Sequence, residues 1–139
     1  MFSNFLKRSY LLFIVLGVIA CGKDVIDPEQ ELKKTLAGPA GSEWRLYALY
    51  NNDVAQTLSP AQRAFRMKLS EDLSYEDSDG HFGNWRSHKS NPKDSLLVIF
   101  QNPLQGFVVT DYAIKKLTSN TLELNYLYNN TKITLCYKK

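Results

Sequence analysis

The sequence predicts an all-β domain: about eight antiparallel strands in meander order, closing into a small barrel after a leader and a short tether. Three observations carry that expectation. Apolar residues recur with a period of two from Glu43 onward, as in Trp44 and Leu46, and later Leu122, Leu124, Tyr126 and Tyr128; alternation of this kind marks strands with one buried face. Turn formers punctuate the pattern at short intervals, at Asp77-Ser78-Asp79-Gly80, Asn91-Pro92, Pro103–Gly106 and Asn129-Asn130. Aromatic residues make up 12% of the chain and are mostly Tyr and Phe, which fit strands better than helices.

The chain opens with Lys7-Arg8, an apolar run from Tyr10 to Ala20, and then Cys21. This is the three-part anatomy of an export signal. The run is too short for a membrane-spanning helix, which needs about 20 apolar residues. Val18-Ile19-Ala20-Cys21 resembles the lipobox of bacterial lipoproteins: an aliphatic residue, a permissive position, a small residue, then cysteine. The resemblance implies that residues 1–20 are a signal peptide, that the Cys21 thiol accepts a diacylglyceryl group, and that cleavage occurs just before it. Several acyl chains of the palmitate type on one cysteine make a firm anchor, where a single chain holds marginally.

Residues 21–41 read as a lipidated tether. Within it, Pro28-Glu29-Gln30-Glu31 opens a short helix with acids near its positive end. Leu32 and Leu36 give that helix one small apolar stripe, and Gly38-Pro39-Ala40-Gly41 ends it.

The barrel domain is expected over residues 42–139. Trp44, Leu46, Ala48 and Tyr50 alternate with Glu43 and Arg45, and a loop follows at Asn51–Pro60. Phe65, Met67 and Leu69 mark the next strand, and Leu73 with Tyr75 a short one before the Asp77–Gly80 turn. Phe82 to Ser87 returns, Leu96 to Phe100 is apolar on both faces, and Phe107 to Lys116 follows. The last hairpin is the clearest. Its strands carry Leu122, Leu124, Tyr126 and Tyr128, then Ile133, Leu135 and Tyr137, around an Asn129-Asn130 turn that tolerates positive φ. No helix is expected between the strands. Closure into an up-and-down barrel removes open edges, and a sandwich is the alternative.

Charge excludes little and warns against one reading. Removing Lys7 and Arg8 with the leader takes the formal net charge from +3 to +1, so the basic balance gives no ground for a nucleic-acid partner. Once Cys21 is acylated, Cys136 has no partner within the monomer and reads as a small strand residue.

The domain resembles the lipocalin-like lipoproteins of bacteria. The matching residues are Gly41-Ser42-Glu43-Trp44-Arg45-Leu46, Asp79-Gly80, Gly83-Asn84-Trp85, and the run from Tyr112 to Leu124. One departure is the three-residue step from Gly41 to Trp44, where lipocalins have Gly-x-Trp; that spacing occurs instead at Gly83–Trp85. The resemblance implies a barrel with Trp44 at its base, and a fold alone transfers no ligand.

A barrel of this width is either filled by side chains or holds one small ligand. The inward candidates for lining a ligand site are Trp44, Phe65, Met67, Tyr75, Trp85, Phe100, Tyr112 and Tyr126, with Leu46 and Tyr137 beside them. Aromatic walls with phenol hydroxyls suit a small apolar ligand. The same stripe serves equally as plain core.

His81 and His88, with Asp77, Asp79 and Asp94, fit no metal-ligand spacing, and Asp77–Gly80 lacks the downstream ligands of a calcium loop. The sequence contains no Gly-x-Ser-x-Gly, no His-Glu-x-x-His and no phosphate-cradling glycine loop. The expectation is therefore a non-enzymatic lipoprotein without cofactor or metal. It is anchored through Cys21, most simply in the outer membrane, with Lys23-Asp24 resembling part of a surface-export signal and the facing side open. The ligand-binding barrel has one rival, a filled barrel that binds an envelope protein.

Overall fold

The alternation from Glu43 onward does form a barrel. The computed structural model describes residues 27–91, 94–102 and 108–139. Cys21 and its leader lie outside the described residues, as do Pro92, Pro103–Gly106 and Phe107.

Eleven elements follow in chain order: α1 (Pro28–Ala37), β1 (Ser42–Asn51), β2 (Val54–Gln56), α2 (Pro60–Ala64), β3 (Arg66–Leu69), β4 (Ser74–Asp77), β5 (Phe82–Asn91), β6 (Asp94–Gln101), β7 (Val109–Leu117), β8 (Thr121–Tyr128) and β9 (Thr131–Lys138). Each strand pairs antiparallel with its neighbour, and β9 returns to β1 over Arg45 to Asn51. β2 and β3 share one side of β1, the first at Leu49–Asn51 and the second at Ser42–Arg45. The nine strands thus make eight staves of a closed antiparallel barrel, a form compatible with a lipocalin-like fold. The hydrogen-bonded circuit closes within residues 27–139 alone.

The alternating faces hold with three local shifts, one of them at the β5–β6 hairpin between Lys89 and Asn91. Register slips between Leu46 and Ala48 against β9, leaving Tyr47 as the extra residue of a bulge. Beyond it Leu49, not Ala48 or Tyr50, packs against the core, so the simple alternation expected through Tyr50 is broken there. The third slip lies between Ile114 and Lys116. Leu73, expected to start a strand, instead takes φ 69° in the turn before β4. The Asn129-Asn130 turn has φ 47° and 62°, as its residues predict.

Of the two helices, α1 is the expected one and α2 corrects the expectation of no helix between the strands. The Asn51–Pro60 segment read as a loop contains β2 and leads into α2, whose signal is local: Ser59 and Gln62 form a reciprocal capping box around Pro60. α1 is where the prolines and acids place it, with the Asp27 carboxylate accepting from the Glu29 amide at 3.0 Å. It does not act as a spacer. Leu32, Leu36 and Ala37 are buried in the barrel core, so the helix is a plug packed against β3 and β5.

The core sits at the plugged end, called the base below. Trp44, Trp85, Leu36, Leu69, Leu97, Leu122 and Leu124 are fully buried there with Met67. The Trp44 indole N–H donates to the Leu36 carbonyl at 2.9 Å, and the Trp85 N–H to the Ser70 carbonyl at 3.0 Å. The Lys139 ammonium stands 4.6 Å from the centre of the Trp44 ring and closes the base from below.

Candidate functional site

At the opposite end, the mouth, the interior is not filled. A cup of about 260 Å³ opens there, walled by Leu46 of β1, Tyr112 of β7, and Leu135 and Tyr137 of β9. Phe65, just past α2, completes the apolar wall. Ala61 and Gln62 of α2 and Asp79 of the β4–β5 turn form its lip.

Each part of the lip is fixed by local chemistry. In the capping box the Ser59 Oγ accepts from the Gln62 amide at 3.2 Å, and the Gln62 Oε1 accepts from the Ser59 amide at 2.9 Å. The β4–β5 turn is gathered around Asp77, whose side chain is only 3% exposed. Its carboxylate accepts from the amides of Asp79 at 2.9 Å and His81 at 3.0 Å, and from the Tyr75 hydroxyl at 2.5 Å. His81 Nδ1 lies 3.2 Å from both Asp77 oxygens. A carboxylate only accepts, so that nitrogen carries the proton.

Aromatic rings stack the walls. Tyr112 and Tyr126 meet edge to face with centroids 5.4 Å apart, and Phe65 and Tyr137 are tilted at 6.5 Å. Burial pushes the Tyr137 phenol well above the ordinary tyrosine range, reinforced by its neighbours Tyr112, Tyr126 and Asp77. Tyr75 is raised by burial and then by its hydrogen bond to Asp77. These phenols are neutral hydroxyls at any physiological pH. The cup therefore offers apolar walls and neutral polar points, with one carboxylate, Asp79, at the edge.

The eight lining candidates divide sharply. Phe65 and Tyr112 wall the cup, while Tyr75 and Tyr126 belong to the same aromatic cluster. Trp44, Met67 and Trp85 are core of the filled base and do not wall the cup. Phe100 corrects the inward expectation: its buried neighbour Ile99 pairs with Trp85, so Phe100 faces outward, beneath the Arg86 guanidinium at 5.7 Å. The lining candidates omitted Leu135, Ala61, Gln62 and Asp79; Leu135 shares the apolar face of Tyr137, and the Ser59–Gln62 capping signal would have found Ala61 and Gln62.

A larger cleft of about 630 Å³ lies on the outer shoulder, where β4 ends and β5 runs on. Asp72, Asn84, Arg86 and Asn102 give it a more polar lining beside Trp85 and Phe100, which makes it a poorer container for an apolar molecule than the cup. An outer groove of about 290 Å³ has Tyr47, Glu123 and Cys136 on its walls. Cys136 is 5% exposed, and burial followed by the Glu123 charge pushes its thiol upward, away from the reactive thiolate.

His81 and His88 do not converge. Seven residues of extended chain hold them roughly 20 Å apart at ~3.3 Å per residue. Among the described residues, no three His, Cys, Asp or Glu side chains are grouped to hold a metal ion.

No protein-family model, curated protein or solved structure matches this chain, so the barrel and its cup stand on their own geometry.

Proposed function

We propose that this chain is a lipid-anchored envelope lipoprotein of lipocalin-like type that binds a small apolar ligand, without catalysis, in the mouth of its barrel. The anchor is acylated Cys21 and the membrane is the outer membrane. The observation that carries the reading is the cup of about 260 Å³ walled by Leu46, Phe65, Tyr112, Leu135 and Tyr137 above a filled base. That volume falls short of the ~300–1,000 Å³ that encloses a drug-sized ligand. The cup thus takes a single ring or one end of a chain, with the remainder outside.

Native mass spectrometry of the protein released gently from its own membranes tests both halves. The expected mass is that of a chain beginning at Cys21 with acyl groups attached, plus a ligand that solvent extraction removes. Ala61→Trp, which pushes an indole into the cup from an exposed helix position, should abolish the added mass and leave the fold intact. A clean apo mass that ignores a panel of lipids and aromatic metabolites overturns the ligand half. An unacylated Cys21, or a Cys21→Ser variant still held in the membrane fraction after a salt wash, overturns the anchor half.

A second reading rests on the filled base. Close packing of Trp44, Trp85, Met67 and their leucine neighbours leaves the lower barrel no room for a guest. The molecule would then act through its surface, as an envelope-assembly accessory or an inhibitor of a wall-degrading enzyme. The clean apo mass selects it.

A further inference from the structure

Exposed apolar side chains are not spread evenly over the barrel. Among the described residues, the large exposed ones are Tyr47 on the wall and six others: Val54, Phe82, Val108, Val109, Leu127 and Tyr128. Those six all stand at the mouth. Val54, Leu127 and Tyr128 flank two hairpin turns that are laced together, the Asn52 amide donating to the Lys132 carbonyl at 2.8 Å and the Lys132 amide to the Asn52 Oδ1 at 2.9 Å. Phe82, Val108 and Val109 sit at the near ends of β5 and β7, on the other side of the opening. Leu127 is 76% exposed and Val54 64%, and what needs explaining is that six such residues gather at one pole.

Charge is distributed the other way. The base carries Glu29, Glu31, Lys34, Lys115, Lys116, Lys138 and Lys139, all exposed. At the mouth, Asp53 is bound to the Lys132 ammonium at 2.6 Å and Asp77 is enclosed by its own turn, Asn52, Asn129 and Asn130 supply neutral amides, and Asp79 of the lip and Arg63 of α2 are exposed charges of opposite sign. α1, the plug, lies at the base, so the apolar rim is the opposite pole of the barrel.

We infer that the mouth is a docking surface for a neutral lipid bilayer, and that the cup exchanges its ligand while the rim rests in the headgroup layer. A fluid surface fits better than a protein for three reasons. The apolar residues are separate tips around an opening, each able to enter the interface independently. The polar groups between them are mostly amides and an internally paired Asp–Lys, and the exposed Asp79 and Arg63 are opposite in sign, so neither charge dominates the rim. The opening they surround leads directly into an apolar cup. Interfacial binding of this kind scales with the apolar area inserted, and aromatic side chains favour that depth.

The inference extends the ligand-binding reading, and its test does not depend on it. Residues 27–139, which contain the complete barrel circuit, are sedimented with phosphatidylcholine vesicles, and far-UV circular dichroism and melting confirm each variant's fold. The wild-type domain should partition onto the vesicles and resist high salt. Val54→Asp with Leu127→Asp should weaken partitioning at least about tenfold, whereas Lys34→Glu with Lys116→Glu should leave it unchanged. No partitioning by the wild type, equal loss from both pairs, or binding that requires anionic lipid and vanishes with salt each overturns the inference. So does a stable complex with an envelope protein that needs Leu127 while vesicles are ignored. A rim variant that loses vesicles yet keeps its ligand mass separates failure of docking from failure of the ligand reading.

Discussion

The base and the mouth are built from the same strands but spend their aromatic residues differently. At the base, Trp44 and Trp85 are fully buried, each indole N–H donates to a backbone carbonyl, and α1 is driven in between. At the mouth, Phe65, Tyr112 and Tyr137 line a space instead of filling one, and α2 rests on it with no buried residue of its own. One end is therefore where stability is concentrated, and the other is where a guest can enter at little cost. Regions that bind are drawn from the less stable parts of a fold, and here the division runs along the barrel axis.

The sharpest way to break the barrel as a whole is at Gly83, where β5 meets β6 just below the mouth. This residue pairs with Tyr75 on one side and Gln101 on the other, and a Cβ there would lie 1.9 Å from the Phe100 carbonyl oxygen. No side chain can yield, because the obstacle is backbone. Gly83→Ala should cost about 3 kcal/mol or more, seen as loss of the cooperative melt. A variant that melts like wild type would show that β5 and β6 are less tightly apposed than described.

Next comes Leu36→Ala, which asks whether α1 is plug or tether. Leu36 is fully buried and its carbonyl receives the Trp44 N–H. Truncation should cost about 3 kcal/mol in denaturant melts, typical for a buried leucine whose cavity cannot collapse. A loss below about 0.5 kcal/mol would mark a surface position and return the helix to the tether.

How far the sequence carried this account differs between the same two ends. Period-two alternation is a property of individual strands, so the eight-stave barrel and its inward face at Trp44, Leu46 and Leu122–Tyr126 were legible. A bulge is an inserted residue that changes no composition, so the turnover of faces after Tyr47 was not. Phe100 misled because β6 is apolar on both faces and alternation has no phase there. The role of α1 was hidden for a different reason: two leucines on an acidic helix suffice to plug a barrel, and only the partner surface reveals it. At the cup, the aromatic wall residues Phe65, Tyr112 and Tyr137 announced themselves as inward, while Leu135 did not stand out from its strand. The lip did not, since Ala61 and Gln62 matter through the position of α2 and not through their chemistry.

Alkali should test how tightly the aromatic cluster beneath the cup is closed, in a graded way. The phenols of Tyr75 and Tyr137 are raised chiefly by burial, so the folded state holds these protons more tightly than the unfolded chain. Stability from this source is complete below the ordinary tyrosine value of about 10 and falls as pH rises past it, by up to ~1.4 kcal/mol per buried phenol per pH unit. Tyrosinate absorbance should therefore rise in two steps, the second coinciding with unfolding by circular dichroism. A single step near pH ~10 with the fold intact would mean that the phenols are open to solvent.

The smallest effect belongs to the mouth and is the most discriminating. Ser59→Ala removes one half of the capping box, leaving the Gln62 amide without its acceptor. Caps of this type are worth ~1 kcal/mol, and α2 buries none of its residues, so the loss should stay local. Hydrogen exchange should quicken at the Gln62 and Arg63 amides, ligand mass should bind more weakly, and the global melt should barely move. If the melt falls as far as for Leu36→Ala, then the lip and the plug unfold together, and the contrast between a stable base and a permissive mouth is wrong.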